Sequence, residues 1–303
     1  AALEAGRRPL YVCFNRPLAD HFNSIAPEGG LACTFHTLCD KVLHAAGQPV
    51  DFSGPHAFDD LVERAAREAV PDHLRFDTII VDEGQDFNEQ WRDMVLRHAR
   101  PGARALWLED PMQNLYGQPP VALPGWVRLR AASNFRSPRP VVRLLQSILP
   151  PGVDIEAQSP IDAPELEFLT YGDTQGLLQA AKQGIRMCYS AGFRQEDVVL
   201  LSFRGRENSL LLGYDQLGPH KLRTFTGGYD LLGQPAYTQG DVLAESVYRF
   251  KGQSAPAVVF AEIDFDSLGE KEVRKLFVGA TRATMKLIVV LSERAARALL
   301  ERQ

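Results

Sequence analysis

Short apolar runs alternate with amphipathic stretches along most of the chain. Read from the N-terminus, the first half predicts strands at Pro9–Phe14, Leu31–Phe35, Thr78–Asp82 and Ala105–Glu109. Helical spacing fills the intervals at Leu18–Ile25, Thr37–Ala46, Ala57–Val70 and Glu89–Ala99. The second half predicts strands at Leu166–Thr170, Val198–Phe203, Leu222–Phe225, Ala244–Tyr248, Val258–Glu262 and Leu287–Leu291. Helices are expected at Thr174–Ser190, Glu270–Thr284 and Glu293–Arg302, the second with Val273, Leu276, Phe277 and Ala280 on one face. The proline-rich run Leu149–Pro164 reads as a surface connection. Strands that alternate with helices predict α/β layers with mostly parallel sheets. The 303 residues suffice for about two domains.

Composition narrows this only a little. Hydrophobic residues make up 45% and charged residues 23%, ordinary values for a globular chain, and no apolar run approaches a membrane span. With no signal-peptide pattern either, a cytoplasmic protein is expected. The four cysteines, Cys13, Cys33, Cys39 and Cys188, form no metal-like spacing and predict buried free thiols. The net charge of −5 argues against a bulk nucleic-acid coat, but not against a local groove for a few nucleotides.

The chemistry is concentrated in short segments. Thr78–Asp86 reads TIIVDEGQD, an apolar strand ending in carboxylates. At the carboxyl edge of a parallel strand such groups face the crevice where α/β sheets bind ligands. Asp82 suits a hard Mg²⁺ ion, and Glu83 suits the positioning of an attacking water. The plainer alternative is a solvated acidic strand end. Further on stand LWLEDPMQNLY (Leu106–Tyr116), NFRSP (Asn134–Pro138), YRFKGQSAPAVVFAE (Tyr248–Glu262) and FVGATRA (Phe277–Ala283). Before them stand LYVCFNRPLAD (Leu10–Asp20) and CTFHTL (Cys33–Leu38).

In this order the segments resemble the motifs of UvrD/Rep-type superfamily 1 DNA helicases, in the branch often fused to nuclease-related domains. The resemblance spans roughly residues 10–292 and rests on the ordered set. It implies two RecA-like lobes, 1–132 and 133–303, with ATP and Mg²⁺ between them and single-stranded DNA, or RNA, as partner. It implies that Asp82 and Glu83 hold the metal and the water, and that Gln85 and Gln113 sense the γ-phosphate. Arg136 and Arg282 become the arginines of the second lobe, and Arg282 is expected to project from its helix into the cleft. Lys251 and Gly252 fit the fifth motif and its nucleotide and strand contacts. There Gln253 and Ser254 replace the usual Leu-Glu pair, and Tyr248 and Arg249 stand near its histidine. Phe14, Asn15, Thr34, His36, Tyr116, Phe250 and Lys251 are the residues expected to line a single-strand groove. For Phe14, Phe35 and Tyr116 core packing is the alternative, and for the arginines a surface salt bridge.

No G-x-x-x-x-G-K-[ST] stands in the 303 residues. The resemblance places that phosphate-binding loop before residue 1, in an upstream domain of the same protein, with its strand beside the Asp82 strand. The first lobe is accordingly expected to be truncated at its N-terminus, and the isolated chain to hydrolyse ATP negligibly. The competing reading is a non-hydrolysing nucleic-acid-binding or scaffold module of helicase shape. A nucleotide kinase fits less well, because it needs neither arginine of a second lobe nor the TFH segment.

Overall fold

A computed structural model describes residues 6–25, 29–52, 54, 56–161, 165–229 and 235–301. The chain divides into two compact units, 1–126 and 127–303, so the division falls ahead of the expected 132/133 boundary.

Unit 1 contains β1 (Pro9–Cys13), α1 (Arg16–Ile25), β2 (Leu31–Thr34), α2 (Phe35–Ala45), α3 (Ala57–Arg67), β3 (Phe76–Val81), α4 (Glu89–Leu96) and β4 (Ala99–Trp107). The strands form one parallel sheet in the order β2-β1-β3-β4. Apolar strand residues such as Leu10, Val12, Ile79 and Val81 are buried against Phe35, Leu38, Leu43 and Leu61 of α2 and α3. Short polar side chains start the helices. The Asn15 Oδ1 accepts the Leu18 N–H at 3.2 Å, and the Thr34 Oγ1 accepts that of Thr37 at 3.1 Å. At α4 the Asn88 Oδ1 accepts the Trp91 N–H at 2.9 Å. Each satisfies a donor that a helix start leaves open.

This topology corrects one expectation. The strand that ends at Asp82 was to stand beside a missing neighbour. Instead β3 is flanked on both sides, pairing Leu10 with Ile79 toward β1 and Ile79 with Ala105 toward β4. Among the described residues the open edges of the sheet are the outer sides of β2 and β4.

Unit 2 contains β5 (Ser133–Asn134), α5 (Arg139–Ile148), β6 (Glu156–Ala157), β7 (Glu167–Tyr171), α6 (Thr174–Ser190), β8 (Val198–Ser202), β9 (Gln216–Leu217), β10 (His220–Tyr229), β11 (Pro235–Tyr237), β12 (Val242–Ser246), β13 (Ala255–Ile263), α7 (Glu270–Ala280), β14 (Ala283–Ser292) and α8 (Glu293–Leu300). Its main sheet runs β11-β10-β12-β8-β13-β14-β7, with β9 beside β10. Pairing is parallel from β10 to β7 and antiparallel at β11 and β9. One face packs on α6, where Leu177, Ala181, Ile185 and Cys188 meet Leu200, Leu222, Ala244, Val259 and Ile288. On the other face α7 crosses close to β13. A Cβ on Gly279 would lie 2.1 Å from the Phe260 ring, so only glycine permits the approach.

Several elements depart from the sequence reading. Helix α5 was not among the expected helices; the two prolines of RSPRPVV fall at its start, where a missing N–H costs nothing. Helix α7 ends at Ala280 rather than Thr284, and β14 begins at Ala283. The strand expected at Leu222–Phe225 is the longer β10. The run 149–164 carries β6, paired with β5, and the nearly inaccessible Ser159; residues 162–164 lie outside the described residues, as does the end of the expected Glu293–Arg302 helix. All four cysteines are buried and free.

Candidate functional site

The carboxyl edge of the unit 1 sheet gathers the acidic motif. Where β3 ends, the Asp82 N–H bonds the Val12 carbonyl at 2.9 Å. The Asp82 side chain accepts the Tyr11 hydroxyl at 2.6 Å and the Glu83 N–H at 2.9 Å. Burial, reinforced by this bond, pushes the Tyr11 phenol far up, so it remains a donor. Glu83 adopts the left-handed conformation, φ 54° and ψ 43°. For a residue with a side chain this costs about 1–3 kcal/mol, and such strain tends to collect at functional sites. The Gln85 Nε2 donates to Glu83 Oε2 at 2.6 Å, and Gln85 Oε1 accepts the Asp110 N–H at 3.0 Å. Asp110 in turn accepts the Gln113 Nε2 and the Met112 N–H, each at 3.0 Å. One run of bonds therefore fastens VDEGQD to EDPMQ. Gly84 allows it: a Cβ there would lie 2.3 Å from the Trp107 indole nitrogen.

Beside this edge, the expected strand-lining residues divide. Phe14, His36 and Tyr116 come together: the Phe14 ring lies 5.4 Å from Tyr116 and 5.8 Å from His36, with Trp91 at 5.7 Å. Tyr116 is 42% exposed, so it is not a core residue. Phe14 is partly buried, and burial lowers the pKa of His36. Asn15 and Thr34 require correction. Both are buried, and their side-chain oxygens cap α1 and α2.

In unit 2, Asn134 accepts the N–H groups of Arg136 and Ser137 at 3.0 and 2.7 Å, turning the chain into α5 and leaving Arg136 exposed. Phe250 and Lys251 are buried, 3% and 0% exposed, in the turn between β12 and β13. A ring so enclosed cannot stack on a base, which corrects the reading of Phe250. Lys251 likewise does not present itself to solvent. Gly252 takes φ 82°, the left-handed value that glycine tolerates.

Arg282 is 1% exposed. Its Nε donates to the Val278 carbonyl at 2.8 Å, Nη1 to the Gln253 carbonyl at 3.0 Å and Nη2 to Thr281 Oγ1 at 2.9 Å. The expected projecting fork is instead held by the main chain of α7 and of the KGQS turn, which joins the fifth and sixth motif-like segments. Among the described residues no three His, Cys, Asp or Glu side chains gather as metal ligands.

Sequence reading missed Tyr11 and Asp110, although both lie inside the quoted segments; a tyrosine facing a strand-end carboxylate has no sequence signal. It also missed the arginine and aromatic side chains around Phe225, which come from separate strands and turns.

The fold is thus α/β with parallel sheets. Residues 241–290, which carry the KGQS turn and FVGATRA, match the UvrD-like helicase C-terminal domain family. Among solved structures the chain is similar to the C-terminal domain of a possible DNA helicase from Lactobacillus plantarum WCFS1, 15% identical, covering 54% of this chain and 93% of that one with a TM-score of 0.39. That likeness is too slight to carry argument. No curated protein matches. No helix among the described residues is long and apolar enough to cross a membrane.

Proposed function

We propose that the chain is part of an ATP-driven motor that moves along single-stranded DNA, with the acidic end of β3 as its hydrolytic site. The observation that carries this reading is the bonded run through Glu83, Gln85, Asp110 and Gln113. It couples a strand-end acid pair to the segment bearing Tyr116, as a motor must couple hydrolysis to its track. The match at 241–290 supports a DNA helicase-related module.

Asp82 fits a Mg²⁺ ion. Its two oxygens accept from Tyr11 and Glu83, and a hard cation that keeps most of its water needs only one or two carboxylates. Such an ion would neutralise charge on the phosphates. Glu83, oriented by Gln85, would align the attacking water, while Gln113, steered by Asp110, would read the terminal phosphate. Phe14, His36 and Tyr116 would receive bases.

A non-hydrolysing scaffold is the second reading, favoured by the burial of Lys251 and by Gln253-Ser254 in place of Leu-Glu. Affinity for a labelled single strand, measured on the whole natural protein with ADP and with a non-hydrolysable ATP analogue, separates the two. A motor changes affinity between the two nucleotides; equal affinity contradicts the motor reading.

A further inference from the structure

Away from these segments, one face of the unit 2 sheet carries a second cluster. Leu222 of β10 points into the α6 core, so by strand alternation Lys221, Arg223 and Phe225 occupy the opposite face. Phe225 pairs with Tyr237 of β11, their rings 5.9 Å apart, and the Tyr229 ring lies 5.6 Å from Phe225. Arginines cover these rings. The Arg249 guanidinium sits 3.7 Å from the Phe225 centroid, Arg206 sits 5.1 Å from the same ring, and Arg223 sits 5.7 Å from that of Tyr237. Gly227, at φ 95°, leaves room for Arg206 to lie against the hairpin.

The groups are ranked in depth. Phe225 is buried, and Arg249 is tied to the buried Glu245 at 3.0 Å. Burial alone would lower the Arg249 pKa, but the charge of Glu245 and the bonds Arg249 donates to Glu245, Tyr237 and Tyr229 raise it. These form a fixed floor. Above it Tyr229 is 48% exposed, and Arg206 and Arg223 are exposed with no carboxylate bridging either among the described residues. An exposed ring flanked by exposed arginines is the composition that single strands use: any base has a face to stack, and phosphates meet the arginines.

We propose that this hairpin face docks single-stranded nucleic acid, with Tyr229 stacking on a base and Arg206 and Arg223 meeting phosphates. The inference deepens the motor reading and rests on it. It gives unit 2 a strand contact made by Tyr229 in place of the buried Phe250. The charge pattern favours a polyanion, and the ring favours one that carries bases.

The test is anisotropy of a short fluorescein-labelled oligothymidylate titrated with the 303-residue chain over a range of salt. Tyr229→Ala should weaken binding about tenfold, and Tyr229→Phe, which keeps the ring, by no more than about threefold. Arg223→Gln should lower the salt slope by about 0.7. If Tyr229→Ala does not fold, the exposed Arg223→Gln decides alone. Binding that Tyr116→Ala weakens, but neither Tyr229→Ala nor Arg223→Gln alters, overturns this site and leaves the motor reading intact. No binding by the wild type overturns both. Tighter binding of duplex, or equal competition by polyglutamate, overturns the site as one for single strands.

Discussion

Arg282→Lys keeps the charge and most of the volume, yet it should destabilise unit 2. Arginine places three N–H groups on Val278, Gln253 and Thr281 from one planar fork. A lysine ammonium is a point donor on a flexible stem and can reach one of these acceptors at a time. The Val278 carbonyl keeps the Thr281 hydroxyl, so one buried acceptor is then left without its donor, at about 1–3 kcal/mol. We expect a loss of about 1–3 kcal/mol, or about 2–12 °C in Tm for a unit of this size. The assay must read unit 2. Tryptophan fluorescence does not, because Trp91, Trp107 and Trp126 all lie in unit 1. Native-state amide exchange in β13, α7 and β14 does. Protection should fall together across these elements, because Arg282 joins α7 to the turn before β13. A change below about 0.5 kcal/mol, the size expected of an exposed ion pair, would refute the reasoning.

Gly279→Ala pushes a methyl into the Phe260 ring and should cost about 1–3 kcal/mol in urea unfolding; adding Phe260→Leu should recover part of it, and strictly additive effects would contradict the contact. Asp264 is held down to about 2, first by its bond from Arg294 and also by the charges of Arg294 and Arg204. Because the folded value lies below the ordinary one, its contribution is present above about pH 4 and is lost as pH falls toward 2; an acid titration of stability should be flatter over that window in Asp264→Asn, and an unchanged profile would refute the assignment.

The fold was largely legible because its strands are nearly unbroken apolar runs, as in β8 and β13, bounded by turn residues. The failures have physical causes. Prolines that usually stop a helix instead open α5. Thr281 ends α7 by turning its hydroxyl back onto Phe277 and Val278, which no periodicity shows. For the site, residue order brought out Asp82, Glu83, Gln85 and Gln113, which the structure does bring into one network. It could not rank exposure. Asn15 and Thr34 read as contact residues and serve as caps, while Phe250 read as a stacking ring and is enclosed. The cluster around Phe225 was invisible because Arg206, Phe225, Tyr237 and Arg249 meet only once β10, β11, the turn after β12 and the segment after β8 are assembled.

The central claim is that the end of β3 hydrolyses ATP in step with a nucleic-acid track. It is tested most directly by ATP turnover of the whole natural protein, with and without single-stranded DNA, for the wild type and for Glu83→Gln, which keeps the shape of the side chain and removes its charge. The account predicts turnover that rises with single-stranded DNA and falls at least about 100-fold in the variant, within the range of a lost general base. Turnover indifferent to DNA, or unchanged by Glu83→Gln, would contradict it.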